Sequence, residues 1–203
     1  MLKTNVAVLV SGGGTNLQAL LDAERDGRIQ SGTIKLVISS QPGAYALTRA
    51  ENAGVKTAVV HKATLGSQEA FEAEIRRLLD EYQIELIVLA GFMSILSADF
   101  TSRFPNRILN VHPSLIPAFC GKGYYGLKVH EEALKKGVKV TGATVHFVNE
   151  IPDGGEILLQ KAVEVQDGDT PEILQRRVME QAEWILLPQA TEMTAKKIAM
   201  KKE

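Results

Sequence analysis

"NVAVLVSGGGTNLQALL", residues 5–21, decides the fold. Its first six residues form an almost unbroken apolar run, the pattern of a strand buried on both faces. Glycines 12, 13 and 14 then break the run. Leu17, Leu20 and Leu21 recur at helical spacing, and Gly27 closes the segment. Thr15 with Gln18 fits a capping box, which starts the helix at Thr15. A buried strand feeding a helix through a glycine turn is the first half of a parallel crossover unit.

The same alternation continues outward. "TIKLVIS" (33–39), "VKTAVV" (55–60) and "ELIVLAG" (85–91) read as strands, and "AYALTRAENAG" reads as a helix ending at Gly54. Ser67 caps a helix that places Phe71, Ile75, Leu78 and Leu79 on one face. A short helix around 96–103 leads to a strand at 107–111. Strands alternating with helices over short connections predict a parallel sheet covered on both faces. The second half changes character. "CGKGYYG" (120–126) reads as a loop and Leu127 to Lys136 as a helix. "TGATVHFVNE" and "EILLQKAVEV" flank "IPDGG" as a hairpin, so at least one strand runs antiparallel. Thr170 as N-cap and Pro171 at the first helical position open a last helical region. The Lys-rich end, "AKKIAMKKE", reads as a solvated helix end. No repeat, linker or low-complexity segment divides the 203 residues, so one domain is expected over 1–203, with halves meeting near residues 105–106.

Composition narrows the function classes. A formal charge of −1 and a pI near 6.5 offer no bulk attraction for nucleic acid or an anionic membrane. The single cysteine, Cys120, excludes an intrachain disulfide framework and a Cys-based metal site. No apolar run reaches the roughly 20 residues of a membrane span. The N-terminal apolar stretch is too short for a signal peptide. A cytoplasmic protein is the expectation, as monomer or homodimer. No His/Asp/Glu set has metal-ligand spacing, so no metal is expected.

"VSGGGTN" has two readings: a tight strand-to-helix turn, or a phosphate site in which backbone N–H groups and a helix N-terminus face an anion. It is not G-x-G-x-x-G, because Leu17 stands at the third glycine position. The second strand ends in "SSQPG" without an acid for a ribose diol, which disfavours NAD. It is not G-x-x-x-x-G-K-[ST] either, which disfavours a nucleoside triphosphate. A single phosphomonoester fits best.

"RILNVHPSLIPAF" (107–119) places Asn110 and His112 two apart at a strand end, so their side chains share a side. Ligands of open parallel sheets bind beyond the carboxyl ends of the strands. There the glycine loop, "GFMS", Asn110 and His112 converge. A neutral amide donor beside a proton-transferring imidazole suits a carbonyl whose oxygen becomes negative. A hydrogen-bonded structural pair is the other reading. Asp153 in "PDGG" is either the partner that orients His112 or simple turn chemistry. The residues alone stop at carbonyl transfer on a phosphate-bearing substrate.

Taken together, "VLVSGGGTNLQAL", "LAGFMSILS", "ILNVHPSLIPAF", "TGATVHFV" and "DGGEILLQ" resemble the folate-dependent formyltransferases, in family order over nearly the whole chain. The resemblance implies a Rossmann-like three-layer α/β/α fold with a mostly parallel seven-stranded sheet and one antiparallel strand. It implies formyl transfer from 10-formyltetrahydrofolate to the amine of 5-phosphoribosylglycinamide in purine biosynthesis, by direct attack and without a metal. Asn110, His112 and Asp153 would form the catalytic trio, with Asp153 favouring the protonated form of His112 by opposite charge. Gly14, Thr15 and Asn16 would hold the acceptor phosphate, and Glu183 the glycinamide. The folate pterin would lie along Met93, Ser94, Ile95 and Leu96 and along Asn149, Glu150, Ile151, Pro152 and Asp153, mainly on backbone groups, with Asn110 beside it. Gln68 takes the place of a family arginine that meets folate, and Lys62 is nearby. The loop from Phe119 to His130 is longer than is usual and reads as a lid. Trp184 stands where histidine is common, in a segment one residue longer. His130 and His146 are assigned either to the site's surroundings or to packing, and Cys120 to a minor thioester route. Rival functions are a 10-formyltetrahydrofolate hydrolase, another formyltransferase of the same family, and a non-catalytic phosphometabolite-binding module.

Overall fold

The computed structural model describes residues 2–202. Strands β1 (Thr4–Val10), β2 (Gly32–Ser39), β3 (Lys56–Val59), β4 (Leu86–Leu89), β5 (Ile108–His112), β6 (Val140–Phe147) and β7 (Ile157–Glu164) form one sheet in the order β3-β2-β1-β4-β5-β6-β7. The pairings from β3 to β5 are parallel, whereas β5–β6 and β6–β7 are antiparallel. Only β6 therefore runs against the rest. The hairpin spacing around "IPDGG" anticipates that reversal.

Helices α1 (Thr15–Arg25), α2 (Tyr45–Asn52), α7 (Pro171–Val178) and α8 (Trp184–Ala199) cover one face, and α4 (Gln68–Glu81) with α5 (Ala98–Ser102) covers the other. The period-2 geometry of strands produces this division directly. Val6, Val8 and Val10 of β1 face the first layer, while Ala7 and Leu9 face the second. In β4, Leu86 and Val88 divide from Ile87 and Leu89 in the same way. All of these are buried, which is why both strands read as continuous apolar runs. On β5 the division puts Leu109 and Val111 into the first core and Ile108 into the second. Asn110 and His112 lie on the side of Ile108, beyond the end of its apolar patch.

Three details differ from the sequence reading. Thr15 begins α1, but it is not its cap: Gly14 occupies the N-cap in the left-handed region at φ 75°, with no side-chain cap bond. The Gln18 side chain instead joins Asp22 and Arg49. A four-residue helix, α3 (Lys62–Leu65), precedes α4. The last helical region is not one helix. A π-helical turn, Met179–Glu183, separates α7 from α8. The Ser67 cap (accepting from Ala70 N–H) and the Thr170–Pro171 start are as expected. The exposed Lys196 and Lys197 close α8 as a solvated end. α6 (Leu127–Lys136) completes the fold, joining the loop after β5 to β6.

Candidate active site

A crevice of about 730 Å³ opens beyond the carboxyl ends of β1, β4 and β5. Thr15 and Asn16 line one end, Met93 and Ile95 another, and Asn110, His112, Pro152, Asp153 and Glu183 lie between. The loop from Gly121 to Gly126 and His130 on α6 close the remaining side.

Strand register sets the geometry of the polar side chains. On the antiparallel β5–β6 pair, Asn110 stands opposite His146, and His112 opposite Thr144. His146 Nδ1 lies 2.8 Å from the Phe147 carbonyl oxygen, so it carries the proton and donates. Nε2 faces both Asn110 Nδ2, at 3.2 Å, and Asp153 Oδ1, at 3.6 Å, so it accepts from the amide when it carries no proton and donates to the carboxylate when it does. An Asn amide has two N–H donors. One points at the His146 ring, which leaves the other to point elsewhere.

His112 is buried, and its Nε2 donates to the Phe119 carbonyl at 2.8 Å. Its Nδ1 lies 3.4 Å from Asp153 Oδ2. That carboxylate also accepts from the Gly121 N–H at 2.9 Å, and its Oδ1 lies 3.6 Å from His146 Nε2. Asp153 is thus a shared partner of two imidazoles. Burial works against its charge, but the rings of His146 and His112 and the Gly121 N–H outweigh burial. Together they hold the carboxyl below the ordinary carboxylate range.

The turn that presents Asp153 is tightly specified. Asp153 has φ 56°, and the Ile151 N–H donates to Asn149 Oδ1 at 2.9 Å. A Cβ at residue 155 would stand 1.7 Å from the Phe147 carbonyl oxygen, so only glycine fits there. Behind His112, Thr144 donates to the Ser114 carbonyl and accepts from the Ile116 N–H and from Gln160. This network holds the Pro113–Pro117 segment against β6.

Glu183, in the π-helical turn, is buried, and its Oε2 accepts from Asn16 Nδ2 at 2.7 Å. Burial pushes its pKa up to about 7, even though the Asn16 bond lowers it. Around this pair, Asn16 Oδ1, both His130 ring nitrogens and Trp184 Nε1 are buried without partners. Burial, and secondarily the charge of His112, push His130 down to about 4, so it is neutral near pH 7. Its orphan nitrogens are free to meet a polar ligand.

Gln68 does not line the crevice itself. Its amide donates to the Ile95 carbonyl and to Glu72, and it accepts from Lys62 Nζ at 2.6 Å. The cation at this end is therefore Lys62. Met93 and Ile95 are exposed along the crevice, and the Met93 N–H is tied to Ser11 Oγ. The Leu96 side chain is buried in the second core, so only its backbone could meet a ligand. Ser94, Asn149, Glu150 and Ile151 surround the crevice mouth without lining it. Burial and Asp153 push the Cys120 thiol up, which makes it a poor nucleophile. His61 pairs with Thr64 outside the site. Among the described residues no three His, Cys, Asp or Glu side chains are placed to hold a metal ion, and no helix is long and apolar enough to cross a membrane.

Sequence reading left His146 between packing and the site. The hairpin register, counted back from the glycine turn, is the signal that pairs it with Asn110. The contacts from Phe119 O and Gly121 N are made by backbone, which leaves no trace in residue type.

This fold, with an amide, an imidazole and a carboxylate gathered at the end of β5, defines a formyl transferase: the chain belongs to that family, whose profile matches residues 4–191. Within it, the chain is 41% identical over 177 residues to phosphoribosylglycinamide formyltransferase of Escherichia coli, covering 87% of this chain and 81% of that protein. It is 45% identical to the trifunctional purine biosynthetic protein adenosine-3 of Gallus gallus, covering 95% of this chain but only 18% of that protein. Among solved structures, glycinamide ribonucleotide transformylase 1 of Symbiobacterium toebii superposes with a TM-score of 0.89 at 45% identity, over 96% of this chain and 89% of that one. Phosphoribosylglycinamide formyltransferase of Brucella melitensis gives 0.86 at 40% identity, over 95% and 96%.

Proposed function

We propose that the protein transfers the formyl group of 10-formyltetrahydrofolate to the amine of 5-phosphoribosylglycinamide, a step of purine biosynthesis. One observation carries this reading: Asn110, His112 and Asp153 meet in the same crevice that Thr15 and Asn16 line. The names of relatives that match over most of their length support the substrates. The acceptor phosphate sits at Gly14, Thr15 and Asn16, and its amine approaches from the side of Glu183. The folate lies along Met93 to Ile95 and the 149–153 turn.

The amine nitrogen attacks the formyl carbon. The second Asn110 N–H and the His112 Nε2–H donate to the oxygen as it becomes negative. The Asp153 carboxylate, 3.4 Å from Nδ1, attracts the positive charge that His112 carries when it is protonated. The tetrahedral carbon then expels the folate nitrogen, which receives the proton lost by the amine. His112 has one Nε2 proton, so the Phe119 carbonyl must give way to the formyl oxygen. The lone cysteine and the near-neutral charge fit a cytoplasmic enzyme of this kind.

The test measures formyl release from 10-formyltetrahydrofolate with and without 5-phosphoribosylglycinamide. Release that depends on the amine, with formylated product, is expected. Release at the same rate without amine would mean a hydrolase, and binding of both compounds without turnover would mean a binding module.

A further inference from the structure

Arg49 lies on α2, outside the crevice, yet it reaches across to the glycine loop and to the helix that follows it. Nε donates to the Gly13 carbonyl at 2.8 Å, Nη1 donates to Gln18 Oε1 at 3.1 Å, and the guanidinium stacks 5.0 Å above the Tyr45 ring. None of the three partners is a carboxylate, so the guanidinium is not held in a direct ion pair and presents its charge to the Gly13 carbonyl.

The neighbouring carbonyls are held as well. The Ala46 N–H donates to Gly12 O at 3.1 Å, and the Gln18 N–H donates to Gly14 O at 2.9 Å. A peptide unit is planar and trans, so its N–H points opposite to its C=O. Turning the carbonyls of Gly12 and Gly13 toward α2 therefore turns the N–H groups of Gly13 and Gly14 away from it. Among the described residues those two N–H groups have no acceptor. The packing leaves the loop little latitude: a Cβ at residue 14 would stand 2.6 Å from Ala46 Cβ and 3.4 Å from Arg49 Cδ. A cation bonded to one end of an amide also polarises its other end, which strengthens the Gly14 N–H as a donor.

We infer that Arg49 is a positioning residue for the acceptor's phosphate: it clamps the Gly13 carbonyl from behind and so aims and polarises the N–H groups that bind the anion. The inference rests on the reading of the loop as the phosphate site.

The experiment uses inorganic phosphate as a competitor against the acceptor, in wild type and in Arg49→Met and Arg49→Lys. In wild type, phosphate competes with the acceptor and not with the formyl donor. If it does not, the phosphate reading of the loop itself fails. In Arg49→Met, loss of a charge-assisted hydrogen bond weakens phosphate inhibition and raises the acceptor KM by about 10–100-fold. kcat stays within about threefold and the donor KM is unchanged, because nothing at the reacting carbon has moved. Arg49→Lys keeps the charge without the fork that bridges Gly13 and Gln18, so it recovers only part of the loss. With the dephosphorylated acceptor, wild type and Arg49→Met have equal kcat/KM. Phosphate that competes in wild type and inhibits Arg49→Met equally well overturns the role of Arg49. So does an equal loss with the dephosphorylated acceptor. Should Arg49→Met fail to fold, Arg49→Lys, which retains the packed stem, carries the same comparison.

Discussion

Asp153→Asn separates charge from shape at the centre of the site. The substitution keeps an acceptor for the Gly121 N–H but removes the negative charge 3.4 Å from His112 Nδ1. At that distance, with an effective dielectric near 20, two unit charges attract by about 5 kcal/mol. That figure is a ceiling, because the same carboxylate is shared with Gly121 and His146 and the site reorganises when the charge goes. A loss of about 3–4 kcal/mol at the transition state corresponds to a rate reduced roughly 10²–10³-fold. The assay is steady-state formyl transfer, with kcat and both KM values. The loss is expected mainly in kcat, since the charge matters most when the imidazolium faces a developing oxyanion. Thermal unfolding runs alongside. Asp153 titrates below its ordinary value in the folded protein. Its contribution to stability is therefore present above about pH 4, the unfolded value, and lost as pH falls through the folded one. Asp153→Asn removes that acid-side slope. A folded Asp153→Asn enzyme with kcat within about fivefold of wild type would refute the oxyanion argument.

Asn110→Ala removes the second donor, and kcat falls about 10²–10³-fold with the acceptor KM little changed; single-turnover kinetics would show the loss in the chemical step. Glu183→Gln removes a carboxyl whose pKa is raised to about 7 by burial. Sign follows from linkage: below about pH 4.5 both folded and unfolded states are protonated, and above it the unfolded chain ionises first. Wild type therefore loses stability between about pH 4.5 and 7 relative to Glu183→Gln, by up to about 3 kcal/mol, and urea melts across that range would detect it. Lys62→Met, which removes the cation next to Gln68, raises the folate KM several-fold and leaves the acceptor KM unchanged; an unaltered folate KM would remove Lys62 from the site.

Much of the fold was legible because its strands alternate between two cores, so each strand announces itself as an apolar run and each helix as a stripe. The reversal at β6 was legible because a glycine-rich turn leaves room only for a hairpin. The capping box at Thr15 failed for a physical reason. A residue in the left-handed region had to precede the helix, and Gly14, not Thr15, could take that conformation. Asn110 and His112 were legible as a pair because strand geometry puts residues two apart on one side. Asp153 could not be placed, because its distance from His112 depends on a hairpin register and on a non-glycine residue at φ 56°. Leu96 lies within a motif that resembles a folate contact, and its buried side chain leaves only its backbone for such a role.

On the proposed mechanism, the loop contacts act as stand-ins for the groups a substrate would bring. Phe119 O takes the proton of His112 Nε2, and Gly121 N takes Asp153 Oδ2, so adjoining residues of one loop satisfy both members of the pair. Left unpartnered in a buried setting, each polar group would cost about 1–3 kcal/mol. A formyl oxygen that replaces Phe119 O exchanges one acceptor for another, so the exchange costs little while the oxygen is neutral. The balance shifts once that oxygen becomes negative, because a protonated imidazole then meets a full opposite charge instead of a carbonyl dipole. The loop carbonyl therefore competes with the ground state but not with the transition state. That is the ordering catalysis requires: an interaction gained at the transition state lowers the barrier, whereas one present equally in both does not.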